Sequence, residues 1–167
     1  MSTRVAQSRT VPHALEATYD ETVAAPLPVV FARRHLALPP VTAVEGQEGP
    51  WGSHLGQSRT IVTGDGGRLR ETLTELDRPH AFGYRIDVVG GPMRLLVGHL
   101  DGRWGFEPDG AGTRITWSWV LHARSPLTVP AVLVVARMWN GYARAALASV
   151  EEILGAPGSD SGGTGTG

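Results

Sequence analysis

Arg59 and Glu71 stand on either side of the break Gly64-Asp65-Gly66 in a run of alternating residues. Taken as a three-residue hairpin loop with Gly66 in the left-handed conformation, that break sets Arg59 opposite Glu71 and Ile61 opposite Leu69. Leu73 shares their face, while Ser58, Thr60, Arg68, Arg70 and Thr72 populate the other. A two-residue loop would instead put Ile61 against Arg70 and mix the faces, so face consistency selects the first register. An arginine and a glutamate then meet on the inward, apolar side. Desolvation makes such a pair a poor source of stability, so its presence asks for a reason. It could anchor a ligand carboxylate, carbonyl or hydroxyl, or work as an acid–base pair. A purely structural ion pair is the competing reading.

The aromatic residues raise a parallel question. In "GTRITWSWVLHARSP" (112–126), Ile115, Trp117, Trp119 and Leu121 alternate with Thr116, Ser118, Val120 and His122, the pattern of a half-buried antiparallel strand. Tyr84 and Trp104 fall on neighbouring strands, and Met138, Trp139 and Tyr142 share one stripe of a long helical pattern. Together they form either ordinary core or the wall of an apolar ligand cavity. Leu95, Val97 and His99 hold one parity and Trp104 and Phe106 the other. We therefore expect a bulge or a tight turn at Asp101-Gly102. The bulge would bring His99 near Trp119, as a core histidine or a general base.

Other chemistries find no support. His54, His80, His99 and His122 are scattered without an i,i+4 pair or a carboxylate partner in sequence, so no metal site is expected. There is no cysteine, no GxSxG elbow, and "GDGG" (64–67) opens no helix as a phosphate loop would. No cofactor is expected.

The chain has 167 residues with 41% hydrophobic and 19% charged content, enough for one domain with a sizeable core. Its net charge of −1, with no lysine, gives no reason to expect nucleic acid or an anionic membrane. The beginning lacks a signal-peptide core, and the apolar run 129–136 is too short to span a bilayer. We expect a cytoplasmic monomer or homodimer. Residues 1–12 are expected to be flexible, 13–155 to form a single domain, and the Gly/Ser/Thr-rich 156–167 to be a disordered tail.

Within the domain, 15–24 reads as a strand and 26–34 as a short helix with Pro26 and Pro28 before it or in its first turn. The stretch to residue 54 reads as loop. Short β-rich runs follow, broken at 64–67, 76–80, 89–92 and 108–112, and 130–154 reads as one long helix. Its aromatic residues lie toward its start and small ones follow Tyr142, which suggests tight packing at the first end and an opening at the second. The economical architecture is α+β: a curved antiparallel sheet wrapped around the long C-terminal helix, with a short helical segment after the first strand.

"VAAPLPVVF", "GQSRTIV", "RETLTELDRPHAFGYRI" and "GRWGFEPDGAGTRITWSW", followed by a long C-terminal helix, resemble the SRPBCC superfamily. The similarity runs over about residues 15–154 and points to the bacterial polyketide cyclase/dehydrase-like branch, related to START lipid-binding domains and the birch-pollen allergen. It implies the helix-grip fold and an internal apolar cavity. The family's recurrent arginine, glutamate, tyrosine and tryptophan fall on Arg59, Glu71, Tyr84 and Trp117. The stretch 32–49 lacks the tryptophan and aspartate that many members carry there.

Arg59, Glu71, Tyr84, His99, Trp104, Trp117, Trp119, Met138, Trp139 and Tyr142 are the candidate ligand-binding residues. Arg59, Glu71 and His99 are the candidates for catalysis. We expect a non-catalytic binder or carrier of a small hydrophobic molecule (lipid, polyketide or aromatic). The alternative is a cyclase/aromatase catalysing aldol cyclisation or dehydration. A second alternative is a co-chaperone-like interaction module.

Overall fold

In the computed structural model, which describes residues 1–156, the hairpin adopts the register that its faces select. Arg59 pairs with Glu71 and Ile61 with Leu69, and Gly66 takes φ +81° in the loop. The element order is β1 (Ser2–Val11), α1 (Leu15–Ala24), α2 (Leu27–Val30), β2 (Val41–Glu45), β3 (Ser58–Thr63), β4 (Arg68–Asp77), β5 (Ala81–Gly90), β6 (Val97–Asp109), β7 (Gly112–Ala123) and α3 (Val129–Gly155). The seven strands form one antiparallel sheet in the order β1-β7-β6-β5-β4-β3-β2. The long helix α3 covers the inner face, so the architecture is α+β as expected. No helix among the described residues is long and apolar enough to cross a membrane.

Three local expectations are corrected. Residues 2–11 are not frayed: β1 pairs with β7 along its whole length, from Ser2↔His122 to Val11↔Thr113. It is a polar edge strand fastened to α3 by side chains, with Gln7 Nε2 donating to Asn140 Oδ1 at 2.9 Å and Arg9 ion-paired with Glu151. Residues 15–24 are a helix rather than a strand. Its buried face is Thr18, Tyr19 and Thr22, the i, i+1, i+4 spacing of one helical stripe. The two threonines are buried without penalty because each hydroxyl donates to a carbonyl one turn back, Ala14 O at 2.8 Å and Thr18 O at 2.6 Å. Part of the presumed loop, Val41–Glu45, is the short outer strand β2, with an irregularity between Val41 and Ala43. The tail beyond 156 lies outside the described residues.

The fourth correction concerns β6 and governs the site. There is neither bulge nor turn at Asp101-Gly102. From His99 to Asp109 the strand runs in unbroken register with β7, and the shift lies earlier, between Val97 and His99. Leu100, Gly102, Trp104 and Phe106 therefore face inward, while His99, Asp101 and Arg103 face outward. A glycine in the inward series looks like a gap in the apolar pattern, but here it is a seat. Gly102 lies opposite Tyr84, and a Cβ at 102 would fall 2.1–2.5 Å from three atoms of the Tyr84 side chain. Gly102→Ala should accordingly lose about 1–3 kcal/mol, the usual range for overpacking a filled interior. Urea unfolding of that variant checks it. A neutral result would mean that the tyrosine has room to move.

Candidate functional site

A cavity of about 230 Å³ lies between the inner face of the sheet, α3 and the segment running from α2 into β2. Its wall is mostly apolar. β3 to β7 contribute Ile61, Leu69, Ile86, Trp104, Trp117 and Trp119. Helix α3 contributes Val135, Met138 and Tyr142 from its first half and only Val150 from its second. This reverses the expected taper. Ala143, Ala146 and Leu147 in the second half are fully buried, while the cavity lies beside Val135, Met138 and Tyr142 in the first.

The polar end of the wall is the Arg59–Glu71 pair. Arg59 Nε donates to Glu71 Oε2 at 2.5 Å, with 7% and 5% of the two side chains exposed. Arg59 Nη1 donates to Gln47 Oε1 at 3.1 Å, and the guanidinium lies 3.8 Å from the ring centroid of Trp51. A stacked, forked guanidinium is thus held in place from three sides. Its remaining N–H groups have no hydrogen-bond acceptor among the described residues and can be offered to a ligand. Burial raises the pKa of the Glu71 carboxyl, with Arg59 working in the opposite direction.

Tyr84 supplies a second polar group. Its hydroxyl oxygen accepts hydrogen bonds from Trp117 Nε1 at 2.8 Å and Trp119 Nε1 at 3.0 Å. Both lone pairs are then used, so the phenol can only donate its own proton. No acceptor for that proton exists among the described residues. Burial, followed by the nearby Glu71 charge, raises the phenol pKa and keeps it a donor at neutral pH. At the other side of the cavity Tyr142 donates to Pro39 O at 3.1 Å, and His35 packs over Gly141 so closely that a Cβ there would meet its ring at 2.1 Å. These two contacts hold the α2–β2 segment on α3.

Eight of the ten proposed ligand-binding residues line this cavity: Arg59, Glu71, Tyr84, Trp104, Trp117, Trp119, Met138 and Tyr142. His99 does not, because it lies on the outer face opposite His122. Trp139 is fully buried behind the wall, with ring centroids 4.9 Å from Trp117 and 5.7 Å from Trp119. Its indole N–H has no partner among the described residues. Sequence reasoning missed Phe31 and Trp51. Trp51 is a large aromatic in a Gly/Pro-rich stretch, and only the tertiary fold lays it under Arg59.

Several solved structures share this fold at low sequence identity. Norcoclaurine synthase from Thalictrum flavum, in complex with dopamine and hydroxybenzaldehyde, is similar with a TM-score of 0.69 and 15% identity, covering 92% of this chain and 87% of that one. Ara h 8.0201 is similar with a TM-score of 0.64 and 16% identity, over 91% and 99% of the two chains. The di-domain ARO/CYC BexL from the BE-7585A biosynthetic pathway gives 0.64 and 17% over 93% of this chain and 51% of its own. Among curated proteins no sequence matches. The profile of the family described as "Polyketide cyclase / dehydrase and lipid transport" matches residues 2–155. With nearly every described residue inside that match, and with the helix-grip arrangement already in view, this chain belongs to the polyketide cyclase/dehydrase and lipid transport family.

Proposed function

We propose that the chain binds and carries a small apolar molecule that bears at least one acceptor oxygen. The observation that carries this reading is the polarity of the cavity: an aromatic and aliphatic wall, with buried donors from Arg59 and Tyr84 at one side. A ligand carbonyl or carboxylate would satisfy donors that the protein leaves without acceptors, which is how a buried polar group gives specificity. The volume supports a compact ligand. About 230 Å³ exceeds the roughly 150 Å³ of an apolar cavity that admits benzene, and falls below the roughly 300–1,000 Å³ of drug-sized sites. One or two rings, or a short chain, fit best.

A second reading is aldol cyclisation or dehydration of a carbonyl-rich chain, and the same residues favour it. Arg59 and Tyr84 would stabilise a developing enolate by donation, while Glu71, with its raised pKa, would move the proton.

Native mass spectrometry of freshly purified protein should show a co-purified small molecule, and an environment-sensitive apolar dye should displace it and quench tryptophan emission. Trp119→Ala should stay folded and bind the dye more weakly. Unchanged dye affinity in that variant would sink the cavity reading.

A further inference from the structure

The outer face of the sheet holds a cluster that the cavity does not use. His99 on β6 and His122 on β7 are directly opposite partners, and their rings stack with centroids 4.1 Å apart and planes 19° apart. The irregularity between Val97 and His99 is what turns His99 outward into this register, a common effect of such bulges. Asp101 lies two residues further along β6 and therefore on the same face. Its Oδ2 is 2.9 Å from His122 Nε2. One ring nitrogen from each histidine and one carboxylate oxygen lie within 4.8 Å of one another.

We propose that His99, Asp101 and His122 form a binding site for a divalent transition cation of the zinc type, with water completing the coordination. Two imidazoles and one carboxylate are a donor set that suits zinc and its neighbours, and not magnesium or calcium, which prefer oxygen alone. Around a tetrahedral zinc, with bonds of about 2.0–2.2 Å, donor atoms stand roughly 3.4 Å apart. Stacked imidazoles aim their ring-nitrogen lone pairs side by side, so one ring must turn out of the stack for both to meet a single cation, a side-chain rotation on the open side of the sheet that leaves the backbone register unchanged. Coordination through His122 Nε2 replaces its hydrogen bond to Asp101 by a shared metal, with the ring proton carried on Nδ1.

The surroundings permit a cation. On β5, Asp87 lies opposite His99 and Arg85 opposite Asp101, and Arg85 is turned to Asp87 at 3.3 Å, which answers part of its charge. On β1, Ser2 lies opposite His122 and Arg4 opposite Val120.

The test is a titration of the whole purified chain with zinc alone at neutral pH, by calorimetry or against a chromophoric zinc indicator. One saturable site per chain is expected. His99→Ala and His122→Ala should each weaken it by at least about tenfold, since loss of even an outer-sphere partner costs about 10–100-fold. His80→Ala, which removes an exposed histidine 3.9 Å from Asp77 elsewhere on the surface, should leave the affinity unchanged. Zinc should also raise the melting temperature of the wild type and not that of His122→Ala. Absence of saturable binding, or wild-type affinity in both His99→Ala and His122→Ala, overturns the proposal. Both substitutions fall on the outer face, and circular dichroism shows whether the sheet is intact.

Discussion

Replacing Arg59 by methionine should cost about 3–5 kcal/mol of stability, whereas replacing Arg59 by methionine and Glu71 by leucine together should be close to neutral. The single change leaves the Glu71 carboxylate inside an apolar wall with its largest favourable partner gone; the double change leaves no charge to desolvate. Chemical denaturation of the three proteins measures both differences. The pH dependence gives an independent check. Because the Glu71 pKa is raised in the folded protein, the native state binds its proton more tightly than the unfolded chain does. Stability contributed by this group therefore rises as pH falls from above the folded pKa toward the ordinary glutamate range. Wild type should gain on Glu71→Gln over that window. The double variant also separates the functional readings. A carrier would still take up plain apolar ligands and lose its preference for those with an acceptor oxygen, while a cyclase would retain binding and lose turnover. If polar-headed and plain ligands bind as they do to wild type, neither residue has a ligand role.

Trp117→Ala should be comparably damaging, at about 3–5 kcal/mol, the range for removing a large aromatic from an interior. Its ring is 1% exposed and lies against Phe31, Trp104, Trp119, Trp139 and Tyr142, with centroids 4.9–6.5 Å away. Trp119→Ala should cost less, because that residue is 8% exposed and lies against only Trp117 and Trp139 among the aromatic rings. Thermal and urea unfolding of the pair would show the contrast. Equal losses would mean that Trp119 is core and not wall.

What the sequence disclosed is what depends on near neighbours. The β3–β4 hairpin announces its register through alternation and a Gly-containing loop, and Arg59–Glu71 follows from that register. Helix α3 announces itself by length and periodicity. β1 was hidden because its partner β7 is more than a hundred residues away and its own residues are mostly polar; backbone pairing and links to Asn140 and Glu151 hold it. Helix α1 was hidden because threonine counts as polar in a pattern, although Thr18 and Thr22 are buried with their hydroxyls on carbonyls of the preceding turn. His99 was misplaced because it shares the parity of Val97 and was carried inward with it, when the register shifts between those two residues and not at Asp101-Gly102. Trp51 was invisible for a different reason: its role comes from a loop folding back onto Arg59.

The tryptophan cluster also has an optical consequence. Trp104, Trp117, Trp119 and Trp139 form a chain of neighbours with centroids between 4.9 and 5.7 Å apart, close enough for excitation on one indole to pass to the others before it is emitted. Emission then comes from the group rather than from four separate fluorophores, and deleting one ring redistributes the light instead of subtracting a fixed share. Because three of the four touch the cavity, a guest that drains energy from any one of them should dim the whole set. The coupled rings should also give paired circular dichroism bands of opposite sign, which would shift when the cavity is filled.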